Sequence, residues 1–379
     1  MTVWNDAEFA ERLAHANWMA NTAVLMHLNE RATGDPARDW LSSWAHRWFV
    51  GDALRVLVLG CGEGWLERAI VSWPFVARID AVDFAEEAVA RARESARGIE
   101  KIHYGVVDLN RDELPPDTYD VVVAHSVLHH VENLEHAYAQ LERTMRADAT
   151  LIVNEYVGPN RFQYSDGVER AINLLLRALP EELRCPYDVR VRPTVEEMIA
   201  NDPTEAVRAE ELLAFTEERF EVLERKELGG AILQHLLYGI SGNFRFEVPR
   251  ERSLLEMLCT IDAMLTDAGR IPSDFVISAA RKKGSRVTRV DRPLPPRPDE
   301  AKDVEPDPLR RLPLLSRIRG GGLDAHQRRL LRLALLAEQP RRANLFAEDV
   351  RLGPLRGLRY VPRDPAVRTI LDAAARLSS

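Results

Sequence analysis

Cysteine is scarce: three in 379 residues, too few for a disulfide framework, so a reducing compartment is expected. No run approaches 18 uninterrupted apolar residues, so no membrane-spanning helix is expected. The N-terminus has no basic residue before Arg12 and no apolar core segment, which speaks against a secretory signal and for the cytoplasm. Positive charge is scarce in the first 280 residues, where 28 basic side chains face 47 acidic ones, a net of −19. That deficit argues against a nucleic acid gripped by its phosphates. The balance reverses over residues 281–379, with 23 basic and 12 acidic side chains, a net of +11. Internal repeats are also absent. What is present is an ordinary globular mixture, 46% hydrophobic and 29% charged, long enough for one large domain or two.

Residues 1–50 read as an N-terminal helical cap. Apolar residues at helical spacing run from Asn5 to Glu30, Thr33-Gly34-Asp35-Pro36 forms a stop, and a Trp-rich helix follows from Pro36 to Phe49. Trp40, Trp44 and Trp48 recur every four residues and read as packing. From residue 51 to 285 short apolar runs alternate with helical segments. The expected strands are 55–59, 77–82, 102–107, 121–124, 151–153, 220–228 and 275–280. Helices are expected at 65–72, 85–96 and 134–145 between them. Strands alternating with helices imply crossover connections and a parallel sheet covered on both faces. Residues 157–270 interrupt this rhythm with helical patterns at 166–179, 194–200 and 205–215, the signature of an inserted helical lid. The fold expected is therefore α/β, a doubly wound Rossmann-like seven-stranded sheet with a lid and N-terminal helices. Residues 286–308 hold a Pro-rich stretch that reads as a linker, and 309–379 read as a basic helical appendage, a candidate surface for a protein partner.

The strongest local signal is Val58-Leu59-Gly60-Cys61-Gly62-Glu63-Gly64-Trp65, a buried strand running into glycines that open a helix. The glycines let a ligand touch the backbone. Their Gly-x-Gly-x-Gly spacing is tighter than the dinucleotide pattern and suits a ligand without a pyrophosphate. Asp83 ends the second strand, where a carboxylate can accept both ribose hydroxyls of a nucleoside. Asp108 ends the third, placed for an adenine amino group, with the Leu109 amide beside it. Turn or cap roles are the plainer account of either aspartate alone; their common register at one sheet edge favours a ligand. Cys61 reads as a small residue in a tight loop.

These residues resemble the class I S-adenosylmethionine-dependent methyltransferases over about residues 54–158. The first motif of that family matches Val58 to Gly64, its ribose acid matches Asp83, its adenine motif matches Val107-Asp108-Leu109, and its fourth motif matches Tyr119 to Val131, including Leu128-His129-His130-Val131. Arg146-Ala147-Asp148-Ala149 departs from the family's usual Pro-Gly-Gly turn. The resemblance implies S-adenosyl-L-methionine as cofactor, held by Gly60, Cys61, Gly62, Gly64, Asp83, Phe84, Asp108, Leu109, His125 and Ser126. It implies transfer of a methyl group to a small molecule. The segment 154–163 looks like a subgroup frequent in sugar pathways, so a hydroxyl of a sugar or glycoside is the expected acceptor. A small amine, or a catalytically silent cofactor-binding protein, stays open.

His129 and Glu155 follow strands four and five, where the acceptor should meet the methyl group, and are the candidate bases. Packing is the alternative for His129, and holding Arg161 or a loop amide is the alternative for Glu155. The candidate acceptor-pocket residues are Trp18, Asn21, Tyr156, Arg161, Tyr164, His235 and Tyr238. No metal site is expected.

Overall fold

The computed structural model describes residues 17–294, 324–337 and 364–378. Seven strands form one sheet in the order β3-β2-β1-β4-β5-β7-β6. They span Leu54–Leu59 (β1), Val76–Asp83 (β2), Ile102–Val106 (β3), Tyr119–His125 (β4), Met145–Tyr156 (β5), Phe220–Gly229 (β6) and Phe275–Lys282 (β7). The first five pair in parallel, and β7 lies antiparallel between β5 and β6.

The helices that matter here are Thr22–Thr33 (α1), Trp40–Trp48 (α2), Trp65–Ile70 (α3), Glu86–Ser95 (α4), Leu134–Thr144 (α5), Asp166–Ala178 (α6), Val195–Asn201 (α7), Leu212–Arg219 (α8), Leu233–Leu237 (α9), Pro249–Asp267 (α10), Ala325–Ala337 (α11) and Pro365–Ser378 (α12). Successive strand residues face opposite sides, which divides the core in two. Val56, Val58, Val121 and Val123 pack with α1, α2 and the lid helices. Leu57, Leu59, Val122 and Ala124 pack with Leu134, Tyr138 and Leu141 of α5 and Leu212 of α8. A strand apolar at every position is thus required by a sheet covered on both faces.

Local chemistry sets several boundaries. The single N-terminal helix expected to Glu30 is instead a short 3₁₀ turn, Trp18–Ala20, and then α1. Asn17 and Asn21 cause the break, because each side-chain oxygen accepts a backbone amide at a helix start. Residues 1–16 lie outside the described residues. Strand β5 is much longer than expected, beginning at Met145 directly after α5. Arg146 pairs with Asp120 at 2.8 Å, and Asp120 also accepts the Arg55 amide, so the residues that depart from the turn pattern are strand held to its neighbours. The helix expected over 205–215 starts only at Leu212. Residues 202–211 are drawn off it, with the Val207 amide donating to the His129 carbonyl and the Arg161 amide to Ala206.

The tail is the main departure from expectation. The Pro-rich run beyond 294, and residues 309–323, lie outside the described residues. Its described helices are not a separate appendage. Leu330, Leu331 and Ala334 of α11, and Val367, Ile370 and Ala374 of α12, belong to the main hydrophobic core. Three ion pairs fasten them: His326 to Asp267, Arg329 to Glu30 and Arg250 to Asp364. The stretch ahead of the prolines is also pinned, with Arg292 stacked 4.4 Å over the Phe75 ring. The apolar stripes of α11 and α12 cover a face of α10, which is nearly all buried. Ile370→Ala should cost about 2–4 kcal/mol, because Ile370 is fully buried. Urea unfolding checks this. An unchanged midpoint and slope would mean that α12 does not pack on the core.

Candidate functional site

The carboxyl edge of the parallel strands forms one cavity of about 280 Å³. Gly60, Gly62, Asp83, Phe84, Asp108, Leu109 and Ser126 line it, as the sequence suggests. Gly60 has φ of +66°, and a Cβ there would lie 2.4 Å from the Val127 Cβ, so only glycine lets the loop approach β4. Gly62, at φ of +49°, faces open space: a Cβ would meet nothing within 4 Å. The backbone there is open to a ligand.

Asp83 organises this loop. One carboxylate oxygen accepts the Gly62 amide at 2.9 Å and the other accepts the Ala85 amide at 2.9 Å. Burial pushes its pKa above the usual carboxylate range, and the amide bonds from Ala85, Gly62 and Phe84 counter this only in part. Asp108 sits on the facing wall, its Oδ1 accepting from the Asn110 amide and side chain at 3.0 Å. Ser126 closes the floor with φ of +53°, a left-handed backbone uncommon for serine and typical of sites where geometry is imposed.

Three expected cofactor residues lie outside the lining. Cys61 turns into the core at 5% exposure, where burial and the nearby Glu67 and Asp83 charges push its thiol pKa up. Gly64 caps the start of α3. His125 packs between Trp40, at 4.9 Å, and Trp65, at 5.7 Å between ring centroids. The sequence reading missed several lining residues: Glu63 with its partner Arg91 at 2.8 Å, Asn110, His130 and Thr204. Arg91 and Asn110 carry no motif of their own. Thr204 reaches the cavity only through tertiary folding.

The candidate bases take another form than expected. Glu155, 1% exposed, accepts the Val127 amide at 2.7 Å and the Leu128 amide at 2.8 Å, and its second oxygen meets His129 Nδ1 at 2.7 Å. It holds the loop after β4, the loop-amide role weighed against catalysis. His129 is also buried and does not line the cavity; His130 does. Burial lowers the pKa of His129, but the charge and hydrogen bond of Glu155, with Glu205 and Asp202, more than offset this and raise it overall. His130 is held well below its ordinary value by burial and by His129.

The acceptor-pocket candidates divide. Trp18, Tyr156, Tyr164 and His235 come together in a chain of rings that includes Phe275 and Phe162, with successive centroids 4.2–5.4 Å apart. His129 adjoins Tyr156 at 6.1 Å. Asn21 is a structural cap: its amide donates to the Ser241 and Phe244 carbonyls. Arg161 is a strut, reaching the Glu205 carbonyl at 3.0 Å. Tyr238 is 52% exposed and outside the ring chain. Beside that chain, Asp274 is fully buried with neither oxygen hydrogen-bonded, and burial with the Asp262 charge pushes its pKa up to about 7. No motif or spacing in the sequence points to it.

With the geometry in place, likeness to known proteins can be read onto it. Residues 57–153 match the family described as Methyltransferase domain. That match spans the segment from β1 to β5 and makes it a methyltransferase domain. The malonyl-[acyl-carrier protein] O-methyltransferase of Bacillus cytotoxicus is 28% identical over 127 residues, which is 34% of this chain and 44% of that protein. An uncharacterized methyltransferase of Mycobacterium tuberculosis is 31% identical over 106 residues, 28% of this chain and 52% of that protein. The chain thus spans about half the length of these curated relatives. A solved S-adenosylmethionine dependent methyltransferase from Mesorhizobium loti is 17% identical, with a TM-score of 0.38 over 64% of this chain and 97% of that one, too loose a likeness to argue from. Among the described residues, no helix is long and apolar enough to cross a membrane.

One buried acid beneath the glycine loop has a measurable consequence. Glu67 on α3 is fully buried and both its oxygens lack a hydrogen-bond partner. Burial pushes its pKa up to about 7. The folded state therefore holds this proton more tightly than the unfolded chain does. Stability falls as pH rises from about 4.5 to 7 and levels off above. Glu67→Gln should match the parent protein near pH 4.5 and exceed its stability at pH 8 by about 2–3 kcal/mol. Chemical denaturation at the two pH values checks this; equal stability at pH 8 would mean that Glu67 finds a partner when charged.

Proposed function

We propose that the protein transfers the methyl group of S-adenosylmethionine to an oxygen of a small acceptor. The observation that carries this reading is the cavity at the sheet edge, with the Gly60-to-Gly62 backbone open to it and Asp83 and Asp108 on its walls. Open α/β sheets bind ligands at that edge. The open Gly62 face and the carboxylate at the end of β2 suit a nucleoside with a charged tail. When bound, the cofactor supplies a methyl group on a cationic sulfur that leaves as a neutral thioether.

The protein then has to bind, align and exclude water. Asp83 keeps a lone pair for a ribose hydroxyl after accepting the Gly62, Ala85 and Phe84 amides. Asp108 and the Leu109 amide face the adenine edge. Glu155 acts as a positioning residue, because three N–H groups already occupy its oxygens. The chain of rings from Trp18 to Tyr164 is the proposed acceptor wall. Sugars and glycosides form the first acceptor panel. The printed name of the Bacillus relatives brings in malonyl-[acyl-carrier protein] as a second.

Titration calorimetry with S-adenosylmethionine, S-adenosylhomocysteine and NAD tests the cofactor. Asp83→Ala should weaken S-adenosylmethionine binding by about 1.5–3 kcal/mol, roughly 10- to 150-fold, with the circular dichroism spectrum retained. Binding of NAD alone would overturn the reading. Cofactor binding with no transfer of a labelled methyl group to hydroxyl, carboxyl or amine acceptors would favour a silent binding protein.

A further inference from the structure

Two histidines and a glutamate meet beside the cavity at the sheet edge. His129, His130 and Glu205 each offer one ligand atom, and these atoms lie within 4.8 Å of one another. His129 Nε2 is 3.6 Å from Glu205 Oε1. In a tetrahedral site with bonds of about 2.0–2.1 Å, neighbouring ligand atoms lie about 3.3 Å apart, so this pair is nearly at ligating distance.

The hydrogen bonds around the two imidazoles orient their rings. His129 Nδ1 faces the Glu155 carboxylate at 2.7 Å and donates to it, which turns Nε2 toward Glu205. Thr204 Oγ1 donates its own proton to Asp202 Oδ1 at 2.7 Å. It can therefore accept from His130 Nδ1, 3.1 Å away, and so orients that ring. Each imidazole is thus oriented by a carboxylate on its far side, directly for His129 and through Thr204 for His130. That is the arrangement metal-binding histidines use to fix the ring and raise its basicity. Asp202 is itself buried, and its second oxygen has no hydrogen-bond partner. The ligand-bearing loop is also held in place: Arg161 donates to the Glu205 carbonyl, and the backbone is left-handed at Arg161, Phe162 and Ala206.

We propose that His129, His130 and Glu205 bind a divalent transition-metal ion at the wall of the cavity. Two imidazoles and one carboxylate suit Zn²⁺ and its first-row neighbours better than Mg²⁺. Three protein ligands leave positions open. Since His130 and Thr204 line the cavity, an open position faces ligand space. If the methyltransferase reading holds, the ion grips an acceptor oxygen and lowers the pKa of its hydroxyl. This activates the acceptor where Glu155 has no free oxygen to do so. The acceptor class is then a molecule with a hydroxyl beside a second oxygen, able to chelate.

The test uses the full chain, freed of any histidine tag and stripped with a chelator. Zn²⁺ alone is titrated against a chromophoric competitor, with Mg²⁺ as a second arm. One Zn²⁺ per chain is expected, bound at least 100-fold tighter than Mg²⁺. Glu205→Gln and His130→Asn should each weaken Zn²⁺ at least 10-fold, and Glu155→Gln about 10- to 100-fold through the orientation of His129. Thermal melts establish that a variant is folded; if one is not, the other and the stoichiometry of the unaltered protein decide. Zn²⁺ binding that is absent, or equal in the unaltered protein and the folded variants, overturns the site. Titration of S-adenosylhomocysteine on the same stripped protein separates the two ideas. Its failure with Zn²⁺ still bound removes the methyltransferase reading and not the metal site.

Discussion

The Asp83 carboxylate ties two loops together by accepting the Gly62 and Ala85 amides. Its position follows from β2, whose last residue it is. The glycine loop ends β1 next door, so the parallel pairing brings both to one edge. Glu155 does the same at the end of β5 for the loop after β4. Two carboxylates, Glu155 buried and Asp83 half-buried, each accept backbone amides and shape the loops around the cavity. A buried carboxylate is costly unless its oxygens are hydrogen-bonded, so each acid and its loop hold one another in place. For Asp83, burial still outweighs its amide bonds and raises its pKa.

Behind that edge, the sheet is covered by helices on both faces, and the lid is built from the segments that interrupt the strands. Helices α6, α9 and α10 pack as one body with α11 and α12 from the tail. The tail thus packs against the lid helices. It is one core with the lid even though its composition marks it off.

How much of this was legible from sequence follows from which forces are local. The strands β1 and β4 read clearly because each holds an unbroken apolar run, Val56 to Leu59 and Val121 to Ala124. Asp83 and Asp108 read clearly because strand ends in one parallel sheet share an edge. Glu155 and His129 were found as a pair, but the structure makes Glu155 an acceptor of loop amides and puts His130 on the cavity. Two adjacent histidines give no sequence cue to which one faces inward. Asn21 and Arg161 are acceptor-pocket candidates from sequence. Their polar groups instead satisfy carbonyls more than 40 residues away. The start of β5 was hidden because Arg146 and Asp148 look like a turn until Arg146 meets Asp120. The tail helices read as free because neither their amphipathic stripes nor a proline-rich approach says what they cover.

The account depends on a ligand lying along the edge that Asp83 shapes. A crystal structure with S-adenosylhomocysteine tests this most directly. The ribose hydroxyls should lie within hydrogen-bond distance of Asp83, with the adenine between Asp108-Leu109 and Val131 and the sulfur toward Ser126. A ligand seated elsewhere, or an Asp83 bonded only to Gly62 and Ala85 with the nucleoside turned away, would contradict it.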